Sequence, residues 1–405
     1  MMRFSLTLRQ PDPRTTLRPN SAFRVREAVF ARDRDGVTLI EVIFAIGVIL
    51  IGLVGLMSVL PLAGSRARSS VALNTGTAVA DAAFNRLVTD ELLLPGRLFA
   101  VDGATLNFNE SICIDPVQAA ISPSAAANGY NPNYFPHYHL NHHPLLDPSL
   151  VSGGSRTWSS DQPRLRRVGI RHPNGAAFNL EEALKLTESA DDLPTERPKD
   201  RALNAFVKGT SAITSGVLAY GKRLQTGEYS WIATLNPHST RPMERFATLS
   251  VVVFRNRDRG FVFPAAVAAN PEGNANSERL VLVTEMMGFQ GGAGGVVTLA
   301  SSDNTTANIT ENHWIMLSQS IPGTPPQPVH RWYRVAGTDG DPEYGAVETF
   351  GITQAPNGTK VWVRRVMLDG SDWPVTGTAP TYPTFATIAQ GVVSVTERVV
   401  RIRNL

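Results

Sequence analysis

The longest stretch of apolar positions runs from Val37 to Ala63 and holds one ionisable side chain, Glu41. It is long enough to cross a bilayer as a helix, which takes about 20 residues. Gly47, Gly52 and Gly55 are tolerated in such a helix and allow close contact with a neighbouring one. Helical spacing continues beyond it. Leu73, Ala80, Leu87 and Leu94 recur every seven residues, with Thr77 and Phe84 between them, which predicts one apolar stripe. Pro61 is expected to bend or loosen this helix, and Pro95-Gly96 to stop it.

After Gly96 the texture changes. Residues 96–160 are rich in Pro, Asn, Ser and Gly and lack periodicity, which predicts long ordered loops. Leu180–Ser189, preceded by Asn179, reads as a short capped helix. From about Gly227 the pattern is that of strands. Residues 229–235 and 246–254 form an expected antiparallel pair, followed by candidates at 279–286, 295–300, 313–319, 330–336, 359–368 and 385–402. Asn357-Gly358 is a hairpin-turn signal. The expected fold is α+β: a long N-terminal transmembrane stem helix packed on a mainly antiparallel, β-rich head with long loops. The expected divisions are a leader (1–36), a transmembrane helix (37–63), the outer half of the stem (64–95), a loop-rich part of the head (96–226) and a β-rich part (227–405).

The net charge of +3 invites a nucleic-acid reading, but residues 1–36 hold eight arginines and four acids. The remainder carries 30 basic and 31 acidic residues, which offers no general attraction for phosphate. No nucleic-acid partner is expected. Cys113 is the only cysteine, so no intrachain disulfide is possible and the fold must stand on its core.

Candidate chemistry is thin. His137, His139, His142 and His143 are dense enough for zinc or copper, with Asp147 or Asp115 as an oxygen ligand, but they reproduce no zinc-site spacing. A surface loop is the favoured reading, and no cofactor is expected. Asp339-Gly-Asp-Pro-Glu343 lacks the oxygen alternation of a calcium loop and reads as a solvated turn. The glycine-rich run 288–295 lacks the Lys-Ser/Thr of a phosphate-binding loop and reads as a flexible loop before a strand. Trp332, Tyr333, Trp362 and Trp373 offer a ligand face, although strand aromatics more often fill cores. No Gly-x-Ser-x-Gly or His-Glu-x-x-His occurs, so no enzyme is expected.

Glu41 needs its own explanation. A plain anchor does not account for a carboxylate near the start of an apolar span, and a secretory signal has a much shorter apolar core of ~7–15 residues. Gly36-Val37-Thr38-Leu39-Ile40-Glu41-Val42 resembles the type IV prepilin cleavage and methylation motif. The resemblance implies cleavage between Gly36 and Val37 by a prepilin peptidase and N-methylation of Val37. Family members usually begin with Phe or Met, so Val37 is a departure. Glu41 then lies one helical turn from the new amine, and in a filament it meets the amine of a neighbouring subunit.

The chain is therefore expected to be a minor pilin or pseudopilin of a type IV pilus or type II secretion pseudopilus. Its expected place is the inner membrane, single-pass, with the N-terminus cytoplasmic before processing and the head periplasmic or on an extracellular filament. The resemblance implies other pilins or pseudopilins, an assembly platform protein and its ATPase as partners. A head this large favours a tip or minor position. The alternative is a membrane-tethered extracytoplasmic binding protein or metalloenzyme that uses the prepilin export route.

Overall fold

A computed structural model describes residues 38–106, 110–121, 133–136, 164–187, 228–238, 246–257, 278–321, 327–353, 355–373 and 384–401. The chain divides into two units, Met1–Gly64 and Ser65–Leu405. Helix α1, Leu39–Thr89, is continuous through position 61. In the first unit its apolar residues Leu39–Leu60 have no buried position.

In the second unit, α1 buries Ala72, Gly76, Val79, Ala80, Ala83 and Leu87. This face differs from the predicted stripe: Leu73 is half-buried and Thr77 is exposed, its hydroxyl bonded to the Leu73 carbonyl at 2.9 Å. The reason is close approach. A Cβ on Gly76 would lie 2.9 Å from both Ser394 Oγ and Val393 Cγ2, so small residues mark the contact line and larger ones flank it.

The helix also ends earlier than Pro95. Glu91 adopts a left-handed conformation (φ 52°), Leu92 N–H donates to the Leu87 carbonyl at 3.0 Å, and Glu91 N–H donates to Val88 at 3.3 Å. That is a Schellman stop, completed by contact between the buried Leu87 and Leu92. Pro95-Gly96 instead begins a 3₁₀ turn, Pro95–Arg97.

This half of α1 lies on a sheet. Its strands are β1 (Leu98–Ala100), β2 (Ile112–Ile114), β3 (Tyr134–Phe135), β4 (Leu165–Ile170), β5 (Tyr229–Pro237), β6 (Phe246–Arg255) and β13 (Val392–Arg401). The order is β1-β4-β2-β5-β6-β13, with β3 beside β4. Only the β2–β4 pair is parallel. Two short helices accompany it, α2 (Pro116–Ile121) and α3 (Leu180–Thr187). β1 to β3 fall within 96–160, where loops are expected, because each is only two or three residues long and leaves no readable alternation. The capped helix is as expected: Asn179 Oδ1 accepts from Glu182 N–H and Glu182 Oε2 accepts from Asn179 N–H, both at 2.9 Å, a reciprocal capping box.

The remaining strands close into a six-stranded antiparallel barrel, β10-β11-β8-β7-β12-β9. These are β7 (Glu278–Gly288), β8 (Gly295–Ser301), β9 (Trp314–Ile321), β10 (Gln327–Ala346), β11 (Lys360–Asp369) and β12 (Thr384–Ala389). Alternate residues such as Val281, Val297, Leu299, Ile315, Leu317 and Val366 fill the interior. The single strand expected over 385–402 is two strands in two sheets. Gly391 turns between them (φ 81°), and a Cβ there would lie 2.6 Å from the Arg255 carbonyl oxygen. Asn357-Gly358 closes a longer β10–β11 connection containing a 3₁₀ turn, Val347–Phe350, rather than a tight hairpin.

The glycine-rich run is an ordered β7–β8 connection rather than a loose loop. Phe289 folds back into the barrel core and meets Tyr333 edge-on with ring centres 5.3 Å apart. Gly294 (φ 69°) sits so close to the Leu368 carbonyl that a Cβ would be 1.9 Å from its oxygen. Trp332, Tyr333 and Trp373 are buried, as the core reading expects, whereas Trp362 is half-buried.

A non-glycine residue in the left-handed region costs about 1 kcal/mol. Glu91→Gly should therefore raise stability by about 0.5–1 kcal/mol, after allowing for the added entropy of the unfolded chain. Chemical denaturation of the detergent-solubilised protein would register this as a higher midpoint; an unchanged or lower midpoint would contradict the assigned stop.

Candidate functional site

Gly36 and Val37 lie outside the described residues. Glu41 is exposed in the first turn of α1, with its N–H donating to the Thr38 carbonyl at 3.0 Å. It is the only acid in that turn, where a carboxylate is favoured by the helix dipole. Leu39–Leu60 is the one helix among the described residues long and apolar enough to cross a membrane.

His137, His139, His142, His143 and Asp147 also lie outside the described residues. Asp115 is described, and it is already committed. It follows β2, is fully buried, and receives two hydrogen bonds from Arg257, at 3.1 Å to Oδ1 and 2.6 Å to Oδ2. Arg167 of β4 also donates to it, and to Glu278 Oε2 at 2.8 Å and the Tyr134 carbonyl at 3.2 Å. Arg257 reaches Glu278 Oε1 at 3.5 Å. The result is a closed, buried set of two arginines and two carboxylates, neutral overall. An Asp115 carboxylate so engaged has no lone pair to spare for a histidine-bound metal.

The electrostatics follow from this arrangement. Burial alone would raise the Asp115 carboxyl, but the guanidiniums of Arg257 and Arg167 outweigh it and hold it below the ordinary aspartate value. Burial would likewise lower Arg167, and Glu278 and Asp115 reverse that. Cys113, in β2 two residues before Asp115, is buried, and burial pushes its thiol well up, which removes thiolate reactivity. Sequence reading missed this set because its members are spread over positions 115, 167, 257 and 278. The available signal was Arg166-Arg167 inside the apolar strand Leu165–Ile170.

Asp339–Glu343 is a bulge within β10 rather than a free turn. The pairing with β11 shifts between Asp339 and Glu343, and Gly340 supplies the positive φ of 70°. Asp339 faces Arg365, whose Nη1 lies 3.9 Å away. Among the described residues no group of three or more His, Cys, Asp or Glu is placed to hold a metal ion.

One pair resembles catalytic machinery. Ser318 Oγ and His330 Nδ1 are 2.9 Å apart across β9 and β10. Both are buried, so no substrate reaches them in this conformation. Burial pushes His330 down to about 3. The pair is a neutral polar contact within the head.

No family model, curated protein or solved structure matches the chain.

Two expectations follow. Removing one charge from the buried set leaves the others uncompensated, so Asp115→Asn should cost about 3–5 kcal/mol. Arg398→Ala, which removes the exposed ion pair with Asp81 on α1, should cost about 1 kcal/mol or less. Denaturation midpoints would rank the two variants, and equal losses would remove the special standing of the buried set. His330 titrates lower in the folded than in the unfolded chain, so the unfolded state binds its proton first as pH falls. Stability should therefore drop by about 2 kcal/mol between neutral pH and about pH 5. His330→Gln should flatten that slope relative to the parent; an unchanged slope would assign the dependence to other groups, of which His313, also lowered by burial, is the nearest in kind.

Proposed function

We propose that this chain is a prepilin-like structural subunit, a minor pilin or pseudopilin, and has no enzymatic activity of its own. One observation carries the reading. Leu39–Leu60 is a span of 22 residues, nearly all apolar and none buried, with a single carboxylate, Glu41, in its first turn. The prepilin-like motif around Gly36, Val37 and Glu41 gives that carboxylate a reason. Peptidase cleavage after Gly36 creates an amine at Val37, and Glu41 pairs with such an amine on a neighbouring subunit.

Packing of residues 72–87 of α1 on a mainly antiparallel sheet supports the further reading of α1 as a pilin-like stem. The subunit is anchored in the inner membrane until a platform protein and its ATPase draw it into a pilus or pseudopilus beside sister subunits. The head then lies in the periplasm or on the filament. Its size, from Gly96 to Leu405, favours a tip or minor position over a repeated shaft position.

N-terminal mass spectrometry of the membrane-extracted protein tests this. The expected mature chain begins at Val37, with or without a methyl group, and this start disappears in Gly36→Ala. A retained leader, or a chain beginning at Arg66 as after signal-peptide cleavage, would overturn the proposal.

A further inference from the structure

An open cleft of about 510 Å³ sits at one mouth of the barrel. Its floor is apolar: Ile309, which also caps the barrel core, with Ile388 and the indole of Trp314. Three elements build the walls, namely the β8–β9 connection, the start of β9, and the β12–β13 turn. Arg279 of β7 closes one side; β12 is its neighbour, through the Arg279–Ile388 pair.

The polar groups of the cleft select a ligand class. Among the described residues of the lining Arg279 is the only permanent charge, and Asp303 balances it with an ion pair of 3.3 Å in which both side chains are largely buried. His313 is bonded to Thr310, and burial lowers its affinity for a proton, so it is neutral at neutral pH. The exposed rim is supplied by the amides of Asn304, Asn308 and Gln390. Each amide offers both donors and an acceptor. A free anion would find no uncompensated cation here. A purely apolar ligand would strip water from the three amides without replacing it. A ring carrying several hydroxyls, each both donor and acceptor, with an apolar face for Trp314, satisfies floor and rim together. The volume falls within the range of small-molecule sites, and barrel mouths are common places for them.

We propose that this cleft is a binding site for a neutral saccharide of one or two rings. The inference stands apart from how the N-terminus is processed, since every residue it uses lies in the barrel, its β8–β9 connection or the β12–β13 turn.

Saturation-transfer NMR on the full chain tests it, in a detergent without a sugar headgroup. The probes are glucose, galactose, N-acetylglucosamine, maltose, lactose and chitobiose, each at about 10 mM, which detects dissociation constants in the millimolar range. At least one should receive saturation. Asn308→Ala and Gln390→Ala, both exposed and safe for folding, should each weaken that binding by about threefold to tenfold, the loss of one or two hydrogen bonds. Three outcomes would overturn the proposal: no transfer to any of the six sugars, transfer undiminished in both variants, or competition by inorganic phosphate, which would mean that the cleft prefers anions.

Discussion

The sheet of the head is covered on both faces, and this fixes most of what surrounds it. Along β5, Tyr229, Trp231, Ala233 and Leu235 face α1 and α3, while Ile232 faces the barrel. β6 repeats the division, with Leu249, Val251 and Val253 on the helix side and Val252 and Phe254 on the barrel side. A one-residue slip of either strand would exchange these two sets. Two indoles pin the layers: Trp231 donates to the Leu186 carbonyl of α3 at 3.2 Å, and Trp332 of β10 donates to Thr234 of β5, also at 3.2 Å. Neither hydrogen bond survives if the strand turns over.

Exposed ion pairs such as Arg398–Asp81 lie at the edge strand β13, whereas the charges near the covered centre of the sheet are buried together at the seam with the barrel. Asp115, Arg167 and Arg257 come from the sheet or from residues beside it, and Glu278 is the first residue of β7 in the barrel. Apolar residues of similar volume in such a place are often as stabilising as the ions they replace. What apolar residues lack is direction. Arg167 and Arg257, both held by Asp115, reach Glu278 and so tie the start of β7 to β2 and β4 through hydrogen-bond geometry that an apolar seam would not impose.

Legibility in the sequence follows the length of each element. β5 through β11 are each seven residues or longer, with enough alternation or apolar density to be seen. The barrel that β7 to β11 close with β12 was not visible, because nothing local distinguishes a strand that joins a barrel from one that extends a sheet. The split of 385–402 turned on Gly391, whose need is set by the distant Arg255 carbonyl. The stripe on α1 was right at Ala80 and Leu87 and wrong at its start for a related reason: hydrophobicity points to Leu73, whereas the sheet selects Gly76 because it is small. The apolar span with Glu41 was fully readable, since it depends on composition alone. The buried charges and the barrel-mouth cleft were not, because both are assembled from segments far apart in the chain.

The head covers its apolar surface from within, and Leu39–Leu60 does not. Burying a large aliphatic side chain is worth about 1.5–3 kcal/mol, so a span of this length in water would forgo tens of kcal/mol. A carboxylate at the middle of a bilayer costs roughly 3 kcal/mol, and less near an interface. Entry of the span into an apolar phase is thus decided by the other residues, and Glu41 opposes it only weakly. Beyond the modest preference of a helix N-terminus for a carboxylate, stability gives no reason for a glutamate there, and valine or leucine would enter an apolar phase more readily. A cationic partner would give it one, and within its first turn α1 carries no cationic side chain of its own. In the proposed assembly that partner is the amine of another subunit. Glu41 then marks where along a neighbouring helix the subunit can stop, since any other stagger leaves both charges unpaired in an apolar surrounding.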